Sequence, residues 1–208
     1  MTDSGQVVVL FFGSFNPIHV GHLAVANAAA ARPEVQEVRL IVTPANPHKD
    51  PGGLAPAEVR LAWVTAALEG HKNLTVSDIE FHLPPPHYTA ETLRALERIE
   101  PHHRFSLLIG ADTLRTLHTW KDAHRLAAHR PLYVYPRHGE DGAARSVWET
   151  EHPEVEVIRM PGDLHPFAST EVRKAFRFGL NPQEMLPPPL RGDARLATAY
   201  GPQGQVLL

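Results

Sequence analysis

Two histidines at a strand-to-helix turn are the residues with the clearest chemical potential. His19 and His22 lie in the run Gly13-Ser14-Phe15-Asn16-Pro17-Ile18-His19-Val20-Gly21-His22. An apolar segment precedes this run and a helical one follows. Residues three apart share a helix face. In a first turn, unpaired N–H groups and the positive end of the helix dipole favour an anion. Two imidazoles there can donate to phosphoryl oxygens and stabilise charge that grows during phosphoryl-type transfer. By itself the pair also fits helix capping or a weak metal pair. Gly13 permits a tight turn, and Gly21 permits close approach of backbone or ligand.

Further residues of this kind follow later apolar runs. Lys49 ends the loop Thr43-Pro44-Ala45-Asn46-Pro47-His48-Lys49 and can reach a phosphate as a point charge. Tyr88 and Thr89 follow Pro84–Pro86 and open a helix, with Thr89 a candidate N-cap. Gly110 and Asp112 end another run. A carboxylate there suits ribose hydroxyls, because it accepts two hydrogen bonds. Trp120, eight residues after Asp112, offers a flat face for a cationic ring. Arg137 follows a later run in a polar Gly-containing loop. Ser169, Thr170 and Arg173 start an amphipathic helix, where hydroxyls and free amides can meet phosphate.

The elements that must carry these residues alternate. Strands are predicted at Val7–Phe12, Glu37–Thr43, Leu74–Glu80, Phe105–Ile109, Leu132–Tyr135 and Val155–Met160. Most are dense in Val, Ile and Leu, as buried parallel strands are. Helices are predicted at His19–Ala31, Ala57–Leu68, Ala90–Ile99, Trp120–Ala128, Ala143–Glu149, Thr170–Phe178 and Leu190–Tyr200. Val59, Ala62, Trp63, Ala66 and Ala67 form an apolar stripe at helical spacing. This order implies an α/β fold, a doubly wound parallel sheet with flanking helices and a small C-terminal helical part. Residues 1–208 read as a single domain, with the core over about 7–165 and the helical part over about 166–200. Ligands of such sheets bind beyond the carboxyl ends of the strands, where all these candidates fall.

Composition narrows the chemistry. With no Cys there are no disulfides, thiol nucleophiles or Cys-ligated metals, which suits a cytoplasmic, reducing location. The net charge of −3 gives no bulk basic footprint for nucleic acid. The apolar run at Val7–Phe12 is too short for a signal core or a membrane span. The 14 histidines are scattered, and none pairs as tidily as 19 with 22. A His-rich metal-binding protein is therefore a competing class that rests on composition alone.

The run around His19 and His22 resembles the H-x-G-H signature of the nucleotidylyltransferase superfamily, whose members have a Rossmann-like fold. The later segments resemble, in order, motifs of nicotinate-mononucleotide adenylyltransferases. Pro47-His48-Lys49 is similar to a P-P-H-K stretch, and His87-Tyr88-Thr89 with Thr92-Leu93 to S-Y-T-x-x-T-L. Asp112 and Trp120 are similar to a G-x-D with a Trp at that spacing. Phe167-Ala168-Ser169-Thr170 with Arg173 is similar to I-S-S-T-x-x-R, with Ala168 in place of the first Ser. Pro136-Arg137 inverts the family's usual R-P-G order.

The resemblance runs from about Val7 to Leu190. It implies transfer of AMP from ATP to nicotinate mononucleotide. His19, His22 and Arg173 would be catalytic. Gly13, Ser14, Phe15, Gly110, Asp112, Ser169 and Thr170 would join them at ATP. Asn16, Lys49, Tyr88, Thr89, Trp120 and Arg137 would meet the acceptor. Magnesium would arrive on the ATP phosphates, with no protein cage. The implied partners are the two nucleotides, with neither nucleic acid nor membrane, and a homo-oligomer is left open. Nicotinamide mononucleotide, phosphopantetheine and a non-catalytic nucleotide-binding module are the alternatives.

Overall fold

The structure, a computed structural model, describes residues 7–45, 53–127, 130–136, 147–160 and 167–202. Its strands are β1 (Val7–Gly13), β2 (Val35–Val42), β3 (Leu74–Ser77), β4 (Arg104–Gly110), β5 (Leu132–Tyr135) and β6 (Val157–Arg159). They form one sheet in the order β3-β2-β1-β4-β5-β6, and every pairing is parallel. The helices are α1 (Val20–Ala30), α2 (Ala57–Ala67), α3 (Thr89–Ile99), α4 (Ala111–Thr116), α5 (Ala123–Ala127), α6 (Val147–Glu151), α7 (Ser169–Arg177) and α8 (Ala194–Tyr200).

Side-chain alternation along β1 divides the core between the two faces of the sheet. Val7, Val9 and Phe11 face one cluster with Leu23, Trp63, Val172 and Tyr200. Val8 and Leu10 face the other, with Leu93, Leu114, Leu126 and Trp148. A strand covered on both faces has no polar side, which is why Val7–Phe11 reads as an unbroken apolar run. The strand order reverses between β1 and β4, so their carboxyl ends open the crevice where such sheets bind ligands.

The boundaries differ from expectation in instructive places. β3 stops at Ser77, and Ile79–His82 turns as a short 3-10 helix, so Glu80 leaves the sheet. Trp120 does not start a helix; it ends the 3-10 turn Leu117–Thr119, and α5 begins at Ala123. α4 was not expected, because six residues are too few to show a periodicity. α8 begins only at Ala194, after Pro188–Leu190 forms its own 3-10 turn. α6 begins at Val147, and the expected helix over 143–146 lies outside the described residues. No helix among the described residues is long and apolar enough to cross a membrane.

α2 holds the most consequential departure. The most deeply buried polar residue on that helix is Arg60, at 1% exposure. Its guanidinium donates only to backbone carbonyls: Ala55 at 2.8 Å, Ser14 at 2.6 Å, Thr43 at 2.9 Å and Pro44 at 2.7 Å. Ser14 follows β1, and Thr43 and Pro44 follow β2. One buried cation thus gathers two strand exits, helped by the Thr43 N–H bond to Gly13 at 2.9 Å. Burial pushes its pKa down, with Tyr200 and Glu58 opposing, but an arginine stays charged. Arg60→Met keeps the stem volume and strands four carbonyls. It is expected to cost about 4 kcal/mol or more, since each of the four unpaired buried groups costs at least ~1, and to lower Tm by roughly 8–16 °C for a chain of this size. A thermal melt checks this, and a drop under about 2 °C would show that water replaces the guanidinium.

Candidate active site

The turn after β1 is built around aromatic packing. Phe15 has φ 43°, the left-handed region that a side chain seldom adopts, and is 2% exposed. Its ring lies over Gly13, where an added Cβ would meet Phe15 Cζ at 2.9 Å. Gly13 itself has no positive φ. The expected tight turn at Gly13 is therefore corrected: Phe15 takes the left-handed conformation, and Gly13 makes room for its ring. A buried ring leaves Phe15 only its backbone to offer a ligand.

His19 is the N-cap of α1 and is buried, with His22 one turn on. The Gly21 N–H donates to His19 Nδ1 at 3.1 Å, and the His19 N–H donates to His22 Nδ1 at 3.2 Å. A ring nitrogen that accepts cannot carry the proton, so both rings hold it on Nε2. The two centroids are 3.7 Å apart with planes at 35°, and Phe15 meets His22 edge-on at 5.1 Å. The helix therefore fixes the rotation and the tautomer of both imidazoles before any ligand arrives. Gly21 is needed because His19 lies across it: a Cβ would meet the ring at 3.0 Å and the Phe167 carbonyl at 3.2 Å.

The N-terminus of α7 closes on the same turn from more than 150 residues away. Arg173 Nη1 donates to the Asn16 carbonyl at 2.7 Å, and Nη2 to Thr170 Oγ1 at 3.3 Å. Ser169 Oγ donates to the Pro17 carbonyl at 3.0 Å. Burial pushes the Arg173 pKa down and neighbouring Arg177 adds to this, while Tyr200 opposes it. The N-cap of α7 is Ala168, whose N–H donates to the Glu171 carboxylate at 2.8 Å. Alanine cannot return the bond, so the first amides of α7 lack a side-chain cap.

Asn16 is turned inward. Its Nδ2 donates to the Gly53 carbonyl at 2.8 Å, and its Oδ1 accepts from Ala55 N–H at 3.0 Å and from the Tyr200 hydroxyl. Its expected contact with the acceptor competes with three internal bonds. Ser14 is also buried, and its hydroxyl has no hydrogen-bond partner among the described residues.

On the other side of β1, Gly110 is the N-cap of α4 and Asp112 lies in its first turn. Trp120 is half-buried against the second core cluster. Tyr88, not Thr89, is the N-cap of α3, and no side chain caps it. Thr89 is the first helical residue. Lys121 Nζ stands 5.0 Å from the Tyr88 ring centroid and donates to Glu91 at 2.7 Å, which joins the Trp120 segment to the start of α3. Lys49 and Arg137 lie outside the described residues. Sequence reasoning missed Arg60 and Tyr200. A lone arginine within an apolar helical stripe was the available signal for the first; the second had none.

Two imidazoles oriented by backbone N–H groups at a helix start, with an arginine docked on the same turn at the switch point of a parallel sheet, make a candidate nucleotide site. The cytidylyltransferase-like family matches residues 10–175. A relative from Flavobacterium johnsoniae named "Probable nicotinate-nucleotide adenylyltransferase" is 40% identical over 86% of this chain and 91% of its own. One from Bacteroides fragilis with the same name is 39% identical over 86% of each. The chain belongs to the nicotinate-nucleotide adenylyltransferase family. The fold agrees: the Plasmodium falciparum nicotinic acid mononucleotide adenylyltransferase complexed with NaAD superimposes with a TM-score of 0.76 at 16% identity. It covers 94% of this chain and 97% of that one.

Gly21→Ala tests the preset imidazoles directly. The added Cβ must tilt the His19 ring, and such displacements cost roughly tenfold to hundredfold in kcat/KM. Steady-state adenylyl transfer, with a melt to confirm the fold, measures it. Wild-type kinetics would show that the ring orientation does not matter.

Proposed function

We propose that this chain joins the AMP moiety of ATP to nicotinate mononucleotide, giving nicotinate adenine dinucleotide and pyrophosphate. The observation that carries the reading is the paired Nε2–H tautomer of His19 and His22, set at the start of α1 with Arg173 docked against the same turn. The acceptor's 5′-phosphate oxygen attacks the α-phosphorus in line. The bond to the β-phosphate breaks, and pyrophosphate leaves with the electron pair. No protein nucleophile takes part. Positioning and charge stabilisation account for the rate.

In this reading His19 and His22 donate to the triphosphate, and His22 stabilises the charge on the transferring phosphorus. Arg173 and the uncapped start of α7, with Thr170, receive the leaving pyrophosphate. Ser169 anchors that helix start to Pro17 as well as offering its hydroxyl. Gly13, Ser14 and Phe15 line the nucleotide through backbone atoms, and Asp112 with Gly110 takes the ribose. Tyr88 and Thr89 present backbone amides to the acceptor's carboxylate, Trp120 stacks on its ring, and Asn16 shapes the floor between the substrates. Lys49 is assigned by motif position to a phosphate of either substrate, and Arg137 to the acceptor.

The nitrogen-rich donor set suits phosphate better than a hard cation, which prefers oxygen ligands. Magnesium thus fits as the counter-ion of ATP, where it neutralises phosphate charge. ATP and the mononucleotide are then the only partners required, and the cytoplasm is where the reading places them.

The reading is tested by pyrophosphate release with ATP and either nicotinate or nicotinamide mononucleotide. A preference of about 100-fold for the nicotinate form, near 2.7 kcal/mol, is expected. Equal rates would make the chain a dual-specificity enzyme, and ATP binding without release would leave a nucleotide-binding module. His22→Ala is expected to lower kcat by ~100-fold or more, the scale of one transition-state donor. An effect confined to KM would remove that role.

A further inference from the structure

Glu80 is a buried carboxyl that the transfer reaction does not use. It sits in the 3-10 turn beyond β3 and is 1% exposed. Thr92 Oγ1, in α3, donates to its Oε1 at 2.7 Å. The same hydroxyl stands 3.4 Å from the carbonyl of Tyr88, the N-cap of α3. The Thr43 hydroxyl, at the exit of β2, also acts on the carboxyl. Glu80 therefore links the turn beyond β3 to the first turn of α3.

We propose that Glu80 is a positioning residue for the acceptor pocket, holding the Tyr88–Thr89 backbone in register with the strand exits and doing so as a neutral acid. The inference rests on the reading of Tyr88 and Thr89 as the acceptor loop.

The surroundings favour the neutral form. Glu80 Oε2 is buried without a hydrogen-bond partner among the described residues, which an anion tolerates poorly. Among the described residues, the charged groups on the elements around it are engaged elsewhere or exposed. On β2, Arg39 binds Glu37 at 2.7 Å and Glu100 at 2.6 Å. On α3, Glu91 holds Arg94 at 2.8 Å and Lys121 at 2.7 Å, and Glu97 holds Arg125 and Arg130, while Arg98 is exposed. On its own turn, Asp78 and His82 pair at the surface at 3.2 Å. Arg60 reaches Thr43 through the carbonyl. His87, in the loop before α3, is half-buried, and burial pushes its pKa down. Burial likewise pushes the Glu80 carboxyl up to about 7, against smaller lowering by the Thr92 and Thr43 hydroxyls.

Two consequences follow. Above about pH 7 the proton leaves, and a buried negative charge appears behind a loop that receives an acidic acceptor. The native carboxyl also binds its proton more tightly than the unfolded one, so its contribution to stability falls as pH rises from the usual carboxylate range through about 7.

Glu80→Gln keeps the shape and the neutral form at every pH. Glu80→Ala removes the link. In the wild type, KM for nicotinate mononucleotide is expected to rise roughly threefold to tenfold from pH 6 to 8.5 relative to Glu80→Gln, the size of one partly screened charge. KM for ATP should not separate the two proteins. Comparing them at equal pH cancels the titration of the substrate phosphate itself. Glu80→Ala is expected to raise the acceptor KM at all pH values and leave the ATP KM alone. The Tm of the wild type should fall relative to Glu80→Gln between pH 5 and 8.

Identical pH profiles for wild type and Glu80→Gln would overturn the proposal. So would equal losses in both KM values for Glu80→Ala. If Glu80→Ala does not fold, the Gln comparison decides alone. If nicotinate mononucleotide is not a substrate at all, the functional reading fails instead, and a flat Tm difference against pH would still overturn the neutral Glu80.

Discussion

A parallel sheet brings its strand exits together at one edge, but every exit ends in carbonyls that no longer have a ladder partner. In this protein the buried guanidinium of Arg60 answers that constraint. It binds carbonyls after β1 and after β2, together with Ala55 at the approach to α2. A guanidinium suits the task because it holds five donors in a rigid plane. Its four bonds all go to carbonyl dipoles, and Glu58 and Tyr200 act on its charge without bonding to it. The turn after β1 thereby gains a fixed floor, and the imidazoles above it inherit that rigidity.

The same logic recurs at each level of the site. Backbone N–H groups set the tautomers of His19 and His22. The ring of Phe15 occupies the space that Gly13 leaves empty, and the ring of His19 the space over Gly21. Arg173 and Ser169 hold α7 to the carbonyls of Asn16 and Pro17. Tyr200, in the last helix, reaches Asn16 through its hydroxyl, and burial pushes its pKa up. Donors aimed before the ligand arrives need no reorganisation when charge develops, which is the main source of electrostatic catalysis. The C-terminal helices therefore pack directly against the turn that carries His19 and His22.

The side that carries α3 is built more loosely. α3 begins without a side-chain cap, and its first turn is tied through Thr92 to Glu80 and across the surface through Lys121 and Glu91. Exposed ion pairs of this kind contribute little stability. Their effect lies in register: they hold the Tyr88 segment beside the Trp120 segment, which come from different loops.

The turn that carries His19 and His22 was legible in the residues as a strand-to-helix junction. The apolar runs and the order of later motifs placed the other candidate residues after strands of an α/β sheet. Periodicity also placed the six strands, because buried parallel strands are apolar on both faces and helices on one. What the chain order could not show depends on contacts between distant segments. Arg60 stood within an apolar helical stripe, but its four carbonyl partners come from segments that only the fold brings together. Nothing in the local sequence showed that Gly53, Ala55 and Tyr200 would engage the Asn16 amide. Glu80 resembled the end of a strand until the chain turned at Asp78 and buried it against α3. Sequence determined which groups are available and which elements carry them, since those follow from local pattern. Tertiary structure alone decided which groups are desolvated and paired, because burial and partnership belong to the packed chain and not to any segment of it.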